Sequence, residues 1–77
     1  MSKEKFNIKF GEFVKSKREA LGLSQSDIAA KMNIDYQSIS RLERGKVAPT
    51  LYWCYNLSEA LDIPLPKLLE EFGKKKK

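Results

Sequence analysis

Residues 24–45 read SQSDIAAKMNIDYQSISRLERG, and the order of polar and apolar side chains in this stretch predicts two short helices around one tight turn. Ser24 is a helix N-cap with Asp27 three residues on, while Leu23 and Ile28 hold the two positions of a hydrophobic staple. The helix ends near Met32. Asn33 follows, a residue that tolerates the left-handed backbone of a tight turn. Asp35 then caps a further helix from about Tyr36 to Arg44, with Ile34 and Ile39 as its staple, and Gly45 stops it. Ile28, Ala29, Met32, Ile34, Ile39 and Leu42 point inward and set the angle between the two helices. Ala29 is the tightest of these positions, because a larger side chain there overpacks the crossing at about 1–3 kcal/mol.

The flanks carry the same helical period. Phe6, Phe10, Phe13, Val14, Lys17 and Leu21 recur every three or four residues, predicting a first helix from about Asn7 to Leu21 that Gly22 ends, with residues 1–6 as a flexible lead-in. Downstream, Pro49 and Thr50 restart the chain as a helix to about Leu61. Pro64 and Pro66 open a last helix, Leu65 to Phe72, because proline is tolerated only in a first turn. Leu65, Leu68, Leu69 and Phe72 share one side of it. No alternating run predicts a strand. The expectation is an all-α, five-helix domain over residues 7–72, followed by a disordered lysine tail at 73–77.

Seventy-seven residues suffice for one core and not for two, and a chain of this length buries only about 60% of the surface that its unfolded form exposes. Pairing with a second copy is one remedy for so thin a margin. A disulfide within the chain is not, since Cys54 has no partner; in YWCYNL it reads as a small buried hydrophobe, which fits a reducing, cytoplasmic setting. The absence of histidine excludes His-dependent triads and Cys2His2 zinc sites, so neither metal nor cofactor is expected. No apolar run approaches the ~20 residues of a membrane span, and MSKEKFNIKF lacks a signal peptide's apolar core.

The net charge of +5 decides little, because four of the charges are Lys74 to Lys77; without them 11 basic side chains stand against 10 acidic ones. Distribution says more. Residues 36–48 hold Arg41, Arg44 and Lys46 against Glu43 alone, whereas residues 59–71 hold Glu59, Asp62, Glu70 and Glu71 against Lys67 alone. One basic face and one acidic end are what a domain with a single polyanion-facing surface shows.

On the helix from Tyr36 to Arg44, the side chains pointing away from Ile39 and Leu42 are Tyr36, Gln37, Ser40, Arg41 and Arg44. All are hydrogen-bonding or cationic types without a carboxylate, where a merely solvated face mixes Glu with Lys. Gln bonds adenine N6 and N7 in a bidentate way, and Arg does the same at guanine O6 and N7. Tyr36 suits either a sugar or a thymine methyl. Phosphate anchors stand around them: the amino end of the second helix at Ser24 and Gln25, the charges of Arg44 and Lys46, and the amino end of the fourth helix at Thr50. Ser24 and Thr50 are helix caps in either case. Arg18 and Glu43 fall on apolar faces of the first and third helices, and two such charges are best explained as a buried pair.

These residues match a known family. KSKREALGLSQSDIAAKMNIDYQSISRLERGKVAPT, residues 15–50, closely resembles the Cro and phage-repressor type of helix-turn-helix domain, the Xre family, and with Phe10 to Val14 and ALDIP…LL the likeness covers nearly all of residues 8–72. Its elements are R-x-x-x-G-L-S-Q, then I-A, I-S-R-L-E-R-G and P-T. The resemblance implies a lambda-repressor-like fold, Gln25 on phosphate, Tyr36, Gln37 and Arg41 at base-reading positions, and an Arg18–Glu43 salt bridge. Asn33 stands where the family often has Gly, and Trp53, Cys54 and Tyr55 replace its usual aliphatic run.

The expected function is sequence-specific binding of double-stranded DNA by a transcriptional regulator, as a homodimer on a pseudo-palindromic operator. Trp53 or Tyr52 with Leu65, Leu68 and Phe72 are the candidate dimer contacts, unless they close the monomer's own core. The alternative is a protein-interaction module, antitoxin-like, that uses the same fold to hold a partner. No nucleophile, base and oxyanion donor can be assembled from this inventory, so enzymatic activity is not expected.

Overall fold

The computed structural model describes residues 1–74, and these form five helices: α1 (Lys3–Ala20), α2 (Gln25–Met32), α3 (Tyr36–Glu43), α4 (Leu51–Leu61) and α5 (Leu65–Lys74). Lys75 to Lys77 of the expected tail lie outside the described residues. No strand occurs among the described residues, and none of their helices is long and apolar enough to cross a membrane.

Local chemistry explains both ends of most helices. Side-chain oxygens of Ser2, Ser24, Asp35 and Thr50 accept from the backbone N–H three residues on, at 2.9–3.1 Å, each satisfying one of the donors that an amino end leaves unpaired. At Ser24 the bond is reciprocated, Ser24 N–H donating to Asp27 Oδ2 at 2.9 Å. That bond holds the Asp27 carboxyl below its usual range, so this cap is complete at neutral pH and weakens as the pH falls into the acid range. The first four helices close with Schellman turns: Leu23 N–H bonds Arg18 O, Ile34 bonds Ala29 O, Lys46 bonds Arg41 O and Ile63 bonds Ser58 O. Gly22, Asn33, Gly45 and Asp62 supply the positive φ that these turns need.

Helix α1 begins four residues before the start that the apolar spacing predicts. Ser2 caps it and Glu4 sits in its first turn, where a carboxylate complements the helix dipole. Phe6 also lies within the helix and packs on Phe10 and Phe72. The stretch 1–6 is therefore helical from Lys3, and not a separate lead-in. Helix α5 likewise runs to Lys74, taking in the first residues of the expected tail. Leu21, placed on the apolar stripe by its spacing, is half exposed because the chain has already turned off α1 there.

The core consists of Phe10, Phe13 and Val14 of α1, Ile28, Ala29 and Met32 of α2, Ile39 and Leu42 of α3, Cys54, Leu57 and Leu61 of α4, and Leu68 of α5. Leu68 is wholly buried. Phe72 meets Phe6, Phe10 and Phe13 at centroid distances of 5.2–5.5 Å, edge-on to the first two, an arrangement that adds to the apolar burial. The side of α5 expected to cover a partner thus closes the chain's own core. Leu65 and Trp53 also pack against it, half-buried. The reason is geometric: the extension of α1 back to Lys3 supplies Phe6 as a surface for α5 to cover.

Candidate nucleic-acid interface

The outward side of α3 presents Tyr36, Gln37, Ser40, Arg41 and Arg44 around one shallow depression of about 250 Å³. Tyr36, Gln37, Arg41 and Arg44 are exposed and Ser40 is half-buried. Arg44 Nε donates to Ser40 O at 3.3 Å, which lays the guanidinium back along the helix. Glu43 is absent from this face because it turns into the core. The surface is cationic and donor-rich, suited to anionic ligands that carry acceptors.

The amino ends of α2 and α4 are capped in the same way. The caps at Ser24 and Thr50 satisfy the N–H groups of Asp27 and Trp53, and Ile28 and Cys54 donate to the cap carbonyls. The first two amides of each helix, Gln25 and Ser26 in α2 and Leu51 and Tyr52 in α4, have no intrahelical acceptor by the geometry of the helix. Lys46 is exposed just past the end of α3. Ser24 and Thr50 therefore serve as the caps of α2 and α4.

A buried polar cluster locks α3 in place. Arg18 Nε donates to Glu43 Oε2 at 2.7 Å and Arg18 Nη2 to Glu43 Oε1 at 2.9 Å, while Nη1 donates to Leu23 O at 2.8 Å. The hydrogen bond to Glu43 is the largest influence on the Arg18 guanidinium and raises its pKa further, against the desolvation that burial imposes. Gln25 joins the cluster, its Nε2 donating to Glu43 Oε1 at 3.0 Å. The side chain that the family likeness assigns to phosphate is thus bonded to a carboxylate inside the protein.

Two further contacts position the site and are not apparent from spacing. Gly11 of α1 lies against the last turn of α3 so closely that a Cβ there would sit 2.5 Å from Leu42 O and 2.6 Å from Glu43 O. Its signal in the sequence is a glycine inside a helical pattern, which costs about 1 kcal/mol relative to alanine and so calls for a packing reason. Asn56 of α4 donates its Nδ2 to Met32 O at 2.9 Å, tying α4 to the carboxy end of α2. A polar residue between Cys54 and Leu57 was the only mark of it.

A family model described as helix-turn-helix (HTH_3) matches residues 14–68. An uncharacterized HTH-type transcriptional regulator of Sinorhizobium fredii is 37% identical over 51 residues, 66% of this chain and 65% of that protein. An uncharacterized transcriptional regulator of the ATPase CF(0) region in Rhodospirillum rubrum is 31% identical over 55 residues, 71% of this chain and 51% of that protein. The chain thus spans about half to two thirds of the length of these relatives. Among solved structures, the restriction-modification controller protein C.AhdI of Aeromonas hydrophila superposes with a TM-score of 0.74 at 34% identity, over 79% of this chain and 92% of that one. On the fold, the arrangement of α2 and α3 and these matches, the chain belongs to the helix-turn-helix (HTH_3) family.

Proposed function

We propose that the protein binds operator DNA sequence-specifically, with α3 in the major groove. Tyr36, Gln37, Ser40 and Arg41 read base edges, while Arg44, Lys46 and the amino ends of α2 and α4, at Ser24, Gln25 and Thr50, hold phosphates. The observation that carries this reading is the carboxylate-free outer side of α3, where Tyr36, Gln37, Ser40, Arg41 and Arg44 line one depression. Selection of bound duplexes from a random pool, run with the parent and with Arg41→Ala, tests it. The expected result is loss of preference at one symmetric pair of positions, at about 1–3 kcal/mol of discrimination. Uniform weakening at every position would make Arg41 a phosphate contact instead.

The same reading includes a homodimer on a pseudo-palindromic site, with half-sites about 34–36 Å apart as in phage repressors. With Leu68 buried and Phe72 packed on the core, the exposed large apolar side chains of α4 and α5 are Leu51, Tyr52, Tyr55 and Leu69, which are 42–72% exposed. Sedimentation equilibrium at micromolar concentration should show a species heavier than the 8.9 kDa chain, reduced by Tyr52→Glu. A single 8.9 kDa species would remove the dimer. Binding of generic DNA that falls steeply between low and physiological salt separates this function from a pure interaction module, which has no such binding to lose.

A further inference from the structure

A helix leaves its last four carbonyls without a donor of its own. In α2, Ala29 O accepts from Ile34 N–H and Ala30 O from Asn33 N–H, whereas Met32 O, the last of the helix, accepts from Asn56 Nδ2 of α4 at 2.9 Å. That carbonyl adjoins Asn33, whose left-handed backbone makes the turn into α3. We infer that Asn56 is a positioning residue for the base-reading helix: it pins the turn between α2 and α3 to α4, and so sets the direction in which the first turn of α3, with Tyr36 and Gln37, leaves the core. What α3 does rests on the DNA-binding reading above, while the pin stands on the contact itself.

The two ends of α3 are held by different contacts. At the carboxy end, Gly11 of α1 lies against the carbonyls of Leu42 and Glu43, and Arg18 forks the Glu43 carboxylate. Arg41, next to Leu42, therefore stands on a turn fixed to α1 by backbone packing and by an ion pair. At the amino end the bonds are local: Asp35 accepts from the N–H and Oγ of Ser38, and Ile34 N–H reaches back to Ala29 O. Ile34 also packs half-buried on the core, but apolar contact is non-directional, whereas an amide hydrogen bond fixes an angle. Among the described residues, Asn56 makes the one hydrogen bond that reaches the stretch from Met32 to Asp35 from another helix. Nothing in α4 itself asks for asparagine there, since leucine or lysine would favour the helix more. The contact with Met32 explains the choice.

Melting tests the pin without DNA. Asn56→Leu keeps the volume and removes the donor; Asn56→Asp keeps the shape and, ionised at neutral pH, turns an oxygen toward Met32 O. The first should lower Tm by about 4–8 °C, and the second by more, because it sets two acceptors against each other. An Asn56→Leu protein that melts at or above the parent overturns the pin. Duplex selection from a random pool, run well below the Tm of every variant, then tests the positioning role. The preference of Asn56→Leu should fall about fivefold at the base pairs that Tyr36→Ala and Gln37→Ala relax, the lower end of what a bidentate base contact supplies. At those that Arg41→Ala relaxes it should stay within about twofold of the parent, the margin for sites that act independently. Preference unchanged at every base pair would leave Asn56 a stability residue alone and overturn the inference. Equal loss at every base pair would overturn it as well, since the pin acts on one end of α3. A parent that selects no sequence overturns the base-reading role proposed for α3 and the positioning role with it, and the melts still decide whether Asn56 pins the turn.

Discussion

Arg18→Met should leave the chain largely unfolded at room temperature, or with its melting temperature lowered by more than about 15 °C. The substitution removes three hydrogen bonds at once. It leaves the Glu43 carboxylate in the core without a cation and Leu23 O without its donor. Breaking a buried pair by deleting one partner costs about 3–5 kcal/mol, a large part of the 5–15 kcal/mol that separates a folded domain from its unfolded chain. The surface pair of Lys17 with Glu71 makes the contrast. Lys17 holds the Glu71 carboxyl below its usual range, but both side chains are more than a quarter exposed, and pairs of that kind are worth about 0–1 kcal/mol. Circular dichroism melts of Arg18→Met and Lys17→Met should separate the two by at least 10 °C, again on about 4–8 °C per kcal/mol. An unchanged melting temperature for Arg18→Met would show that the buried pair does not hold the fold. Arg18→Met/Glu43→Leu should recover most of the loss, because an apolar pair of similar volume removes the uncompensated charge.

The second large effect is expected at Gly11. In an open helix, Gly11→Ala would stabilise by about 1 kcal/mol. Here the added carbon meets Leu42 O at 2.5 Å, Glu43 O at 2.6 Å and Glu43 C at 2.9 Å. All three are backbone atoms of the last turn of α3 and cannot rotate away. Helix α1 must lift off α3, which loosens the Phe10 and Val14 contacts and lengthens the Arg18–Glu43 bonds. Overpacking of this kind costs about 1–3 kcal/mol or more, so the steric term outweighs the propensity gain. The expected result is a melting temperature about 5–15 °C below the parent. Gly73→Ala is the control, since nothing lies within 4 Å of the carbon added there, and its melting temperature should equal or slightly exceed the parent's. A Gly11→Ala protein that melts with the parent would mean that α1 and α3 approach less closely than described.

What these two sites share is that neither is a local property of the chain. The helices themselves are local. Ser24 with Asp27, Asp35, Asn33, Gly45 and Thr50 each act within three or four residues, so the limits of α2, α3 and α4 follow from the order of side chains alone. The inward and outward sides of α3 follow from its period, and so does the placement of Arg18 and Glu43 on apolar sides. The family likeness of residues 15–50 rests on the same local order. The limits of α1 and α5 were less legible. Phe6 lies just before the start that the apolar spacing suggests, and its value to the helix comes from Phe72, 66 positions away in the chain.

The tertiary structure alone decided which partner each outlying side chain meets. An apolar stripe on α5 reads identically whether it covers a second copy or its own core; the approach of α1 assigns Leu68 and Phe72 to the core and leaves Leu51, Tyr52 and Tyr55 outside. Gln25 shows the same division within one residue. Its position at the amino end of α2 was determined by Ser24 and Asp27, within a single turn of chain. The direction of its side chain was decided by Glu43, 18 residues on, because a buried carboxylate draws every donor within reach. Short-range capping and periodicity therefore specify where this protein's helices lie, and long-range burial of a few charges and aromatic rings specifies how they are held against one another.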